Sequence, residues 1–73
     1  MKKWQTDEEI ANALIEYDHE GENALRTLED ARDSIEVLGE LGMKDVVPVL
    51  KRIGTLIDAV LEDRRVTGNY YNN

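Results

Sequence analysis

Glu16 and His19 stand three residues apart, and Glu-x-x-His is the spacing with which di-iron carboxylate bundles present two ligands from one helix face. Such a centre also needs carboxylates projecting inward from facing helices, normally with a second Glu-x-x-His. His19 is the only histidine of the chain, and the most apolar segment, 46–66, offers no inward Glu. The pair therefore reads as a solvated polar patch, and no metal or other cofactor is expected. Catalysis has as little to stand on. There is no cysteine nucleophile, Ser34 and Thr27 have no nearby base, and the carboxylates lie on regularly polar helix faces. A general acid or base needs a pocket that shifts its pKa. The expectation is a protein that is not an enzyme.

Three other groups could bind rather than react. The base pairs Lys51-Arg52 and Arg64-Arg65 could meet across a subunit contact and hold a small anion. The plainer reading is that they offset the acids by ion pairs, each worth about 1 kcal/mol or less when exposed. Glu29, Asp30, Asp33 and Glu36 form an acidic array that could imitate nucleic-acid phosphates on a basic partner. Trp4, Tyr70 and Tyr71 flank the helical patterns and either cap the ends of a bundle or anchor a partner.

The elements that carry these residues are legible from a repeat. Ile10, Leu14, Tyr17, Gly21, Ala24, Leu28, Ala31, Ile35 and Leu38 follow strict 3-4 spacing with mostly polar residues between them. That is the pattern of a helix with one buried seam. Thr6 followed by Asp7-Glu8-Glu9 supplies a capping box and suits the helix dipole. Residues 18–23 have no apolar side chain and admit a turn. The seam keeps its phase across them, however, and Glu22 and Arg26 are spaced as a favourable i,i+4 pair. The spacing thus favours one continuous, bent helix over about 7–41, with a break at Gly21 into three helices as the alternative.

Gly42 fits a left-handed residue just past the helix end. Asp45 then reads as the next N-cap, with Pro48 in the first turn, where its missing N–H is not needed. The last helix, about 46–66, is apolar over half its circumference through Val49, Ile53, Leu56, Val60 and their neighbours, so it should touch at least two other helices. Residues 67–73 read as a polar tail.

Charge excludes some partners. Residues 6–40 hold twelve acids against Arg26 and Arg32, a balance of −10, within a net charge of −7. Such a surface repels nucleic acid and anionic membrane. No run approaches the ~18 apolar residues of a membrane span, and the start turns acidic where a signal peptide needs an apolar stretch. A cytoplasmic protein is expected.

The 73 residues, without Cys or Phe, form one all-α domain of modest core, and small unstapled chains often gain burial by oligomerising. A first helix of about 52 Å would overhang a second of about 30 Å. Ile10, Leu14 and Tyr17 would then need a second subunit, which would also cover Leu28, Ile35, Leu38, Val49, Ile53, Leu56 and Val60. The expected assembly is a homo-oligomer of antiparallel helical hairpins, most simply a dimeric four-helix bundle. The function read from this is a non-enzymatic, self-associating regulator or adaptor that binds another protein. An acidic inhibitor of a nuclease or other DNA-binding protein is the first alternative, and an oligomeric binder of a small anion the second.

Overall fold

The computed structural model describes residues 6–68, and Trp4, Tyr70 and Tyr71 lie outside that range. The described chain forms three helices: α1 (Asp7–His19), α2 (Ala24–Glu40) and α3 (Val46–Thr67). The capping box is formed as the sequence implies. The Thr6 hydroxyl accepts from the Glu9 N–H at 3.1 Å, and the Glu9 carboxylate accepts from the Thr6 N–H at 3.2 Å.

The expected continuous helix is broken, and the break is made from local hydrogen bonds. Gly21 takes φ +102°, open only to residues that tolerate the left-handed region. The Glu22 N–H reaches back to the Tyr17 carbonyl at 3.3 Å and the Gly21 N–H to Asp18 at 3.2 Å, a Schellman ending. Asn23 then caps α2, its side chain accepting from the Arg26 N–H at 3.1 Å. Arg26 itself pairs with Asp30 at 3.4 Å. Terminal caps at both sides of residues 20–23 outweigh the phase agreement that argued for continuity.

The same ending recurs at Gly42, with φ +101°. Met43 N–H bonds to Leu38 O and Gly42 N–H to Gly39 O, at 3.0 and 3.1 Å. Asp45 occupies the N-cap position of α3, but at φ 65° and without a side-chain cap bond. Gly39 lets α2 and α3 approach closely here, since an added Cβ would lie 3.0 Å from Val46 Cγ2.

Ion pairs fix the directions. Asp7 at the start of α1 meets Arg52 in the early part of α3, while Asp18 and His19 at its end meet Arg64 and Asp63. The helices α1 and α3 therefore run parallel. The start of α2 lies beside the ends of both, because the Ala24 N–H bonds to Asp18 and Asn23 bonds to Arg64. Its direction is opposite, giving an up-down-up order. Because α1 folds back along α3, it does not overhang, and the length argument for a second subunit falls away. The core consists of Ala24, Leu28, Ile53, Leu56 and Val60, with Ile10, Ala11, Leu14, Ile15, Leu25, Ile35 and Ile57 half-buried against it. No helix among the described residues is long and apolar enough to cross a membrane.

Candidate interaction surface

The three helices converge on a buried charge. Asp18 is wholly buried (0 %) and is the only buried residue of α1, while Arg64 is 8 % exposed. The guanidinium grips the carboxylate with both prongs, Nε donating to Oδ2 at 3.0 Å and Nη2 to Oδ1 at 2.7 Å. The Ala24 N–H donates to the same carboxylate at 3.2 Å, and Arg64 Nη2 also donates to the Asn23 side-chain oxygen at 3.1 Å. Burial by itself raises the Asp18 pKa. The Arg64 hydrogen bonds, the Ala24 N–H and the charges of Arg64 and His19 outweigh it, holding the carboxyl below the ordinary aspartate range. A pair this well satisfied ties the end of α1 and the start of α2 to the end of α3.

Sequence reading missed this pair, although the pattern contains it. Ala11, Leu14, Ile15 and Asp18 share one helix face, as do Ile53, Ile57, Val60 and Arg64. An opposite charge sits at the end of each apolar stripe, and the two stripes face each other. Next to it, His19 Nε2 lies 2.7 Å from Asp63 Oδ2. Glu16 is exposed, and no group of three His, Asp or Glu side chains among the described residues could hold a metal ion.

Three of the four bases proposed for an anion have their own carboxylate within the chain. Arg52 pairs with Asp7, Arg64 with Asp18 and Arg65 with Glu62, whose carboxyl is held below its ordinary range by the Arg65 hydrogen bonds. Lys51 and Arg52 border a shallow depression shared with Asp7, Pro48 and Thr55. Arg52 and Arg64 lie about 18 Å apart along α3, so within one chain the two base pairs do not share an anion.

The residues read as a self-association seam divide into two sets. Leu28, Ile53, Leu56 and Val60 are buried inside the single chain, with Ile10, Leu14 and Ile35 half-buried against them. Tyr17, Leu38 and Val49 are exposed. Ile10, Ala13, Leu14 and Tyr17 line a half-open groove along α1, about 320 Å³ in volume and edged by Glu16 and Glu20. A second apolar region surrounds the turn from α2 to α3. Val37, Met43 and Val47 are more than half exposed there, and Leu41 is 78 % exposed. Glu29, Asp30, Asp33 and Glu36 all lie exposed along α2. Chemically these surfaces can bury apolar area or attract cations. No family model matches the chain, and neither curated proteins nor solved structures show a significant match to it.

Proposed function

We propose that this chain is a small, non-enzymatic, self-associating helical interaction protein, acting as a regulator or adaptor toward another protein. The observation supporting this reading is the imbalance of its apolar surface. Nine large hydrophobic side chains stand exposed among the described residues, against five buried apolar residues, one of them only an alanine. Five of the nine, Val37, Leu38, Leu41, Met43 and Val47, fall in the segment around the α2–α3 turn. Grouped apolar surface marks interaction sites, and a chain of this size gains burial by sharing it with a second copy.

Sedimentation equilibrium from micromolar to millimolar concentration tests the reading. The expected result is a multiple of the 8.3 kDa chain mass, and a clean monomer throughout would overturn it. Leu14 also packs on the core, so a charge there would unfold the chain as well as block contact. Tyr17→Glu is the cleaner surface probe.

The exposed acids on α2 favour one second reading, an imitation of phosphate groups toward a basic partner. Changing Glu29, Asp30, Asp33 and Glu36 to Gln or Asn would then keep the fold and weaken binding through a slower on-rate. Unchanged binding at low salt would exclude it.

A further inference from the structure

We propose that two copies of this chain pair through the α2–α3 turn, each covering the other's Val37, Leu38, Leu41, Met43 and Val47 about a two-fold axis. This inference rests on the self-association proposed above and names the surface that carries it.

Three observations support it. First, the patch is grouped. Val37 and Leu41 stand four residues apart on one stripe at the end of α2, and Leu38 lies beside them. Met43 and Val47 follow within six residues of Leu41, so the turn keeps them close. All five are exposed. Second, the area is sufficient. Their exposed fractions leave roughly 500 Å² open per copy, so a pair buries on the order of 1,000 Å², about the least that a specific contact needs. Third, charge favours this end of the molecule. Residues 37–49 hold only Glu40, Lys44 and Asp45, a balance of −1, whereas residues 6–36 hold eleven acids against Arg26 and Arg32. Copies meeting through the acidic helix faces would set like charges against each other, and the α1 groove is itself edged by Glu16 and Glu20. The turn end avoids that repulsion.

Its two flanking charges also complement each other. Glu40 and Lys44 border Leu41 and Met43, both are exposed, and neither forms an ion pair among the described residues. In a two-fold contact residue i meets j while j meets i. Lys44 of each copy therefore meets the partner's Glu40, two pairs rim the apolar centre, and growth stops at two.

Sedimentation equilibrium with circular dichroism tests the surface. Leu41 and Met43 lie outside the core. Leu41→Glu combined with Met43→Glu should keep the parent's helicity and weaken dimerisation at least about tenfold. Tyr17→Glu, on the α1 groove, should dimerise like the parent. Lys44→Glu and Glu40→Lys should each weaken the homodimer, and mixing them should give a heterodimer at concentrations where neither pairs alone. A double glutamate variant that dimerises like the parent would overturn this surface while leaving self-association standing, as would a folded but monomeric Tyr17→Glu. No heterodimer on mixing would overturn the pairing of Lys44 with Glu40. A parent that stays monomeric at millimolar concentration would overturn both the surface and the self-association.

Discussion

The residue on which most depends is Asp18. Removing one partner of a buried ion pair strands the other, at a cost of about 3–5 kcal/mol. Asp18→Ala should therefore lose most of the chain's stability, read as a lower urea midpoint. Replacing Asp18 and Arg64 together by Leu should recover much of it, because no charge is then left unpaired. The pair also sets a pH dependence. The folded Asp18 carboxyl titrates below its ordinary value of about 3.9. Its contribution is thus complete above about pH 4 and lost as pH falls through the lower folded value. Urea midpoints measured from pH 7 to pH 2 should fall less steeply in the double Leu variant than in the parent. The sequence displayed both charges at stripe positions. A reading that assigns charged residues to the surface by type passes over them, since only the opposing stripe shows that each has a partner.

At the scale of the helices, the ends were more legible than the path between them. The Thr6 box and the Gly42 ending depend on contacts within a few residues, and the structure has both. Gly21 has the same Schellman geometry as Gly42. Its signal competed with an apolar repeat that continues through it, and a repeat reports which face is buried without reporting whether the axis is straight. The remaining helical glycine on α3 makes a separate prediction. Gly54 lies mid-helix with nothing within 4 Å of an added Cβ. Gly54→Ala should raise stability by about 1 kcal/mol through propensity alone. Equal thermal midpoints would mean that a neighbour not in van der Waals range matters there.

For the whole molecule, α1 is fastened differently from the rest. Its only buried residue is a charged one, whereas α2 and α3 contribute all five buried apolar residues. Segments with few buried apolar contacts open most readily, and α1 has no apolar residue that is fully buried. Amide exchange should therefore be fastest in α1 and slowest around Leu56 and Val60, with α1 opening below the free energy of global unfolding. Uniform protection across the three helices would contradict this.

The parallel order of α1 and α3 has a consequence in time. The ion-pair partners of α1 lie 44 to 46 residues further along the chain. A ribosome adding about 5–20 residues per second takes on the order of seconds to make that interval. During it α1 exists without its docking surface, and α2 follows it directly. The first helix made thus gains its docking surface only once α3 is made.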